Sequence, residues 1–288
     1  MSSDKRYLSQ SFTMLKDALP IFAHAPRILC TKKGRILLSI VLEWKKRYLD
    51  IQDGVRQKQE FYYVHTPLDD KIPFVPEECR DYNMIIVQLA KIANRIAKHA
   101  DLEYVQRVFD CFVYNTDISK EVFQGCPTLM PRHIEHDDLN LKIVQRYDQP
   151  VNCCPSLHIA FSLLGYNVGK PYLCEEELAE VQETVGNMAN SVLYTKQHAL
   201  VDISFGILAA RMAFERCFPC QEFEDFTGRY TLMKERYPEI AYDEILRLYR
   251  RCIELKEEGM KLVDIVRTCL NENGYRKVKA EEVVEVGK

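Results

Sequence analysis

Glycine and proline are scarce, with 11 and 12 in 288 residues. So few turn-formers disfavour many-turned β sandwiches and glycine-rich dinucleotide-binding folds, and favour long helices. Neither charge sign is in surplus: 39 basic and 42 acidic residues leave a formal net charge of −3. No global field therefore recruits nucleic acid or an anionic membrane. No apolar run reaches the roughly 18 or more residues that span a bilayer. Residues 149–169 lack Lys, Arg, Asp and Glu, yet Pro150, Asn152, Pro155, Ser156, His158 and Asn167 interrupt them. The N-terminus lacks the apolar stretch and small-residue cleavage site of an export leader. Low complexity is missing too, since 47% hydrophobic and 28% charged residues are ordinary globular values.

Eleven cysteines, an odd number at irregular spacing, do not form the framework of a disulfide scaffold. A reducing, cytoplasmic location is the expectation. The length suits one large domain with a small appendage. We expect an all-α helical bundle over 1–220 and, over 221–288, a small helical hairpin module with a short β-prone tail, Val278 to Val286.

Apolar residues at three- and four-residue intervals predict a helix over 34–59. Tyr63 to Pro76 holds three prolines and reads as an extended connector. Helices are expected at 79–99, 102–114, 156–168, 174–196, 199–217, 240–257 and 261–272. Residues 124–155, rich in Pro, Asn, Asp and His, read as an irregular functional loop. The segment from Glu257 to Arg276 weakly resembles the helix-turn-helix of resolvase-type proteins. Its surroundings, with 13 basic and 15 acidic residues over 221–288, are a poor phosphate-contacting surface, so no nucleic-acid partner is expected.

Two histidines stand in contexts that ask for more than packing. His198 precedes Asp202 by four residues, a spacing that on a helix lets the carboxylate hold the imidazole in one tautomer. Such a ring can attack phosphorus as a nucleophile if cations neutralise the phosphoryl oxygens and an acid protonates the departing oxygen. His158 follows Pro155-Ser156, and Ser156 marks a helix N-terminus, where a hydroxyl and free backbone N–H groups suit an anion.

Four segments together resemble the type 2 phosphatidic acid phosphatase and vanadium haloperoxidase superfamily, in particular its branch near inositol-phosphorylceramide synthase. They are Leu68-Asp-Asp-Lys-Ile-Pro-Phe-Val-Pro76, Pro127-Thr-Leu-Met-Pro-Arg132, Gln149-Pro-Val-Asn-Cys-Cys-Pro-Ser-Leu-His158 and Tyr194-Thr-Lys-Gln-His-Ala-Leu-Val-Asp202. The similarity spans about 65–210. It implies that His198 forms a phosphohistidine, Asp202 orients it, and His158 protonates the leaving group. Arg132 and Ser156 would grip the phosphate, without metal or other cofactor. The partner implied is a phosphorylated small molecule or lipid-like phosphate ester.

The chain departs from that pattern. Gly125 stands where a lysine precedes the motif arginine, His133 replaces the following proline, and Ser191 and Val192 stand where an arginine is expected. Lys196 is a candidate for the missing phosphate-binding cation, with Lys71 and Lys120 as other sources. An alternative is a catalytically degenerate member that serves as a binding or regulatory scaffold. His133, His136, Asp137 and Asp138 have metal-ligand chemistry but read as a solvated loop. Cys217 and Cys220 have CxxC spacing without a second pair and read as structural. His24, His65 and His99 have no sequence partner.

Overall fold

The first long helix, α1 (Lys32–Arg56), shows how the sequence pattern becomes packing. Leu37, Ile51 and Val55 are buried, and Ile36, Ile40, Trp44 and Tyr48 pack beside them, the three-and-four spacing of a core-facing stripe. The computed structural model describes residues 30–56, 58–133, 135–148 and 150–279. His24, Gln149 of the first histidine motif and the tail beyond 279 lie outside the described residues.

After strand β1 (Glu60–Tyr63) the three-proline connector is not simply extended. It contains the short helix α2 (Pro67–Asp70), because Pro67 occupies a first-turn position where its missing N–H costs nothing. The Asp69 carboxylate accepts from the Thr66 N–H at 2.9 Å and hydroxyl at 2.6 Å, closing that turn. Helix α3 (Cys79–His99) matches its expected limits, while α4 (Leu102–Gly125) runs well past 114. Asp101 separates the two and caps α4 by accepting from Tyr104 N at 2.7 Å.

The expected loop 124–155 is partly ordered structure. Strand β2 (Thr128–Leu129) pairs in parallel with β1, placing Tyr62 beside Thr128, and α5 (Leu139–Tyr147) follows its cap, Asp138. Next come α6 (Leu157–Gly169), α7 (Glu175–Tyr194) and α8 (Leu200–Cys217). Helices α6 and α8 pack on each other and are almost wholly buried, as their nearly continuous apolar composition requires. Gly206 permits their close approach. A Cβ there would lie 2.8 Å from the Ser156 carbonyl oxygen and 2.9 Å from the Ile159 Cβ.

The segment after 220 does not stand apart. Helix α9 (Thr227–Met233), absent from the sequence expectations, leads to α10 (Tyr242–Glu257) and α11 (Leu262–Glu272). Helix α10 covers α8, with the Ser204 hydroxyl donating to the Ile245 carbonyl at 2.9 Å, and α11 lies on α4. Strand β3 (Lys277–Lys279) pairs antiparallel with β1, giving the sheet order β2-β1-β3. One buried apolar cluster runs from Leu37 to Leu270 across the expected boundary. The fold is thus mostly helical, with a small sheet tying its C-terminal segment to its N-terminal half.

Candidate active site

The second histidine motif forms the bridge between α7 and α8. Helix α7 ends with Lys196 in the left-handed region at φ 53°, the Lys196 N–H donating to Leu193 and the Gln197 N–H to Val192. This is a Schellman turn, a position usually taken by glycine. Lysine stands here because its side chain does the work of an anchor. The buried ammonium donates to the carbonyls of Asp69, at 2.6 Å, and Ile72. Burial pulls its pKa down. Lys196, expected to be a phosphate-binding cation, is thus held to the connector by two carbonyls.

Four residues later the chain starts α8. Ala199 has no side chain to cap it, and Asp69, 131 positions earlier, supplies the acceptor, taking the Leu200 N–H at 2.8 Å. Burial raises the Asp69 pKa against the opposing bonds from Thr66 and Leu200. Asp202 accepts from Ala199 N at 2.9 Å on Oδ2, the same oxygen that lies 3.2 Å from Nδ1 of His198. The His198–Asp202 pair expected from spacing is therefore formed, buried at the start of the helix. With Nδ1 donating to Asp202, Nε2 carries the free lone pair.

The first histidine motif meets it from α6. Ser156 caps that helix by accepting from Ile159 N at 3.4 Å, and its own N–H donates to the Asp202 carbonyl at 3.1 Å. His158 sits in the first turn, its ring centroid 5.9 Å from that of His198 and 4.1 Å from that of Tyr82. Burial drives the His158 pKa down to about 3, helped by His198 and Arg132 and opposed by Asp148. The imidazole is neutral at pH 7.

Arg132 completes the group. Its Nη1 donates to the Asp148 carbonyl at 2.8 Å and to the Gln197 side chain, and its Nη2 lies 3.4 Å from Asp148 Oδ2. Tyr48 donates to the Asp148 carboxylate as well. Burial raises the Asp148 pKa, but the Arg132 guanidinium and the Tyr48 hydroxyl outweigh it and hold the group below the usual carboxylate range. The structure thus brings together His158, His198, Asp202, Ser156 and Arg132. Asp148, Gln197, Tyr82 and Asp69 belong to the same site and had no assigned role in the sequence reading. Gln197 and Asp69 lie inside the quoted motifs, whereas nothing in the sequence singles out Tyr82 or Asp148.

The remaining candidates lie elsewhere. His133 stacks on Phe74 at 4.8 Å, and His136 meets the edge of the same ring at 5.6 Å. Among the described residues, no group of three or more His, Cys, Asp or Glu side chains is arranged to hold a metal ion. Cys217 is a free thiol that accepts a hydrogen bond from the buried Cys111 thiol, while Cys220 is exposed. No helix among the described residues is long and apolar enough to cross a membrane. Comparison with known proteins gives no match: no family model, no curated protein and no solved structure matches this chain.

Proposed function

We propose that the protein is a metal-independent hydrolase or phosphotransferase acting on phosphate or diphosphate esters through a phosphohistidine on His198. The observation that supports this reading most is the meeting of two imidazoles 40 residues apart in sequence, one backed by a buried carboxylate and the other at a helix N-terminus. Nε2 of His198 attacks phosphorus while Asp202 stabilises the imidazolium that forms. The leaving oxygen takes a proton from His158, and a water or acceptor hydroxyl, deprotonated by the same ring, then attacks the phosphohistidine. Arg132 and the Ser156 hydroxyl are the groups this reading assigns to the developing charge.

His158 is neutral in the unliganded site, so the acid must be created by the substrate. A phosphate dianion beside the ring favours the imidazolium and raises its pKa, so the ring takes up a proton from solvent as the ester binds. The substrate class is a phosphorylated small molecule or lipid-like phosphate ester.

A scaffold reading is favoured by one feature: the Arg132 guanidinium is already held by the Asp148 carboxylate, and Lys196 is bound to carbonyls. A chromogenic phosphate ester separates the two readings, assayed with chelator, with vanadate and beside His198→Ala. Chelator-resistant, vanadate-sensitive turnover lost in the variant is the expected result. Equal background in both proteins across several ester classes favours the scaffold.

A further inference from the structure

Helix α1 carries more apolar side chains than the core can take. Its run Ile36-Leu-Leu-Ser-Ile-Val-Leu42 covers nearly two turns, and an almost uninterrupted apolar run of that length faces every direction around the axis. Leu37 is buried, whereas Leu38, Val41 and Leu42 are 40%, 54% and 58% exposed. Positions 38, 41, 42 and 45 lie along one side of the helix. The stripe therefore runs into exposed Lys45 and Lys46 at one end and exposed Arg35 at the other. Over Lys32–Arg56 there are seven basic and three acidic residues, a local surplus of positive charge on a chain whose net charge is −3. The acidic Glu43 is paired with Arg47, which leaves the two lysines to solvent.

We infer that this face of α1 docks on the surface of an anionic lipid bilayer. The exposed side of a helix is a convex ridge, whereas a partner helix is received by a groove. A ridge of leucines bounded by cations suits a soft planar interface, with the aliphatic groups at the acyl boundary and the ammonium groups at the phosphates. Charge also argues against a second copy. Two α1 ridges laid antiparallel about their leucines bring Arg35 of one against Lys45 and Lys46 of the other, and like charges so juxtaposed oppose association. The contact is peripheral and does not depend on the phosphoryl chemistry assigned to His198.

The test uses the full chain with vesicles of phosphatidylcholine alone and of phosphatidylcholine mixed with phosphatidylserine, at low and high salt, read by co-sedimentation. Binding to the anionic vesicles that weakens with salt is expected. Leu42→Asp should lower the partition by more than about tenfold, and Lys45→Gln and Lys46→Gln by about fivefold each. All three positions are exposed, so thermal melting of the variants should match the parent and show that lost binding is not lost folding. Absence of binding to anionic vesicles at low salt overturns the inference, as does equal binding by the parent and Leu42→Asp. A concentration-dependent dimer dispersed by Leu42→Asp, without vesicle binding, also overturns it and assigns the ridge to a second copy.

Discussion

The imidazole of His158 stands 5.9 Å from that of His198, centroid to centroid, and the first is kept neutral while the second is backed by Asp202. Two rings in different electrostatic settings are suited to different tasks, one to carry a proton and the other to form a bond. This asymmetry has a cost that pH exposes. Unfolded, His158 titrates near 6.5, but folded it resists protonation until about pH 3. The stability it contributes is fully present above the unfolded value and is lost as pH falls from about 6.5 toward 3, on the order of 5 kcal/mol. Chemical denaturation at pH 7 and pH 5 should show a smaller loss in His158→Gln than in the parent.

Oxyanion binding should carry a proton with it. If phosphate or vanadate raises the His158 pKa, calorimetry near pH 7 in buffers of different ionisation enthalpy reports net proton uptake. The uptake should disappear in His158→Gln. Binding without proton uptake in the parent contradicts the assigned acid.

Asp148 and any bound oxyanion compete for the same guanidinium. Asp148→Asn, which removes the charge but keeps an acceptor for Arg132, should therefore tighten vanadate binding, while Asp148→Ala, which leaves the buried guanidinium neither charge nor acceptor at that side chain, should destabilise the fold by about 3–5 kcal/mol. Parallel denaturation curves and vanadate titrations check both effects. Since the Asp148 pKa lies below the carboxylate range, the stability from this pair is present above about pH 4 and lost as pH falls through the folded value.

Lys196 and Arg132 separate anchoring from anion contact. Lys196→Met removes the donor that ties the α7–α8 turn to the Asp69 and Ile72 carbonyls, and should cost about 2–3 kcal/mol with two buried acceptors left unpaired. Vanadate affinity at a temperature where the variant is folded should change little. Arg132→Gln should do the reverse for vanadate, weakening it by at least about tenfold.

Gly206→Ala tests the contact that holds the two histidine motifs together. The added Cβ meets the Ser156 carbonyl oxygen and Ile159, so the helices must shift at a cost of about 1–3 kcal/mol. Their shift moves His158 relative to His198. A lowered melting temperature together with weaker vanadate binding is the expected pair of results.

These features were legible in the sequence to different degrees. The Ser156 cap follows from a Pro-Ser element ahead of an apolar run, a local rule that the fold obeys. The His198–Asp202 contact forms as well, but not across one helix face, because His198 lies in the turn before Ala199, the N-cap of α8. Lys196 has contacts that local reading does not reach. Its charge and neighbourhood point to an anion, but a left-handed backbone turns it to carbonyls more than 120 residues earlier. Tyr82 and Asp148 reach the site from α3 and from the end of α5, a juxtaposition set by helix packing. The packing of the segment after 220 was hidden for a similar reason. The charged composition after it belongs to helices whose apolar faces, Ile245, Leu248, Ile265 and Leu270 among them, complete the common core.

The central claim is a covalent bond between phosphorus and His198. Rapid quench of the protein with a turned-over phosphate ester, followed by peptide mass spectrometry under alkaline conditions that preserve phosphohistidine, tests it directly. Phosphate is expected on the peptide bearing His198, formed within the first turnover and absent from His198→Ala. Turnover without that adduct, or turnover that survives in His198→Ala, contradicts it.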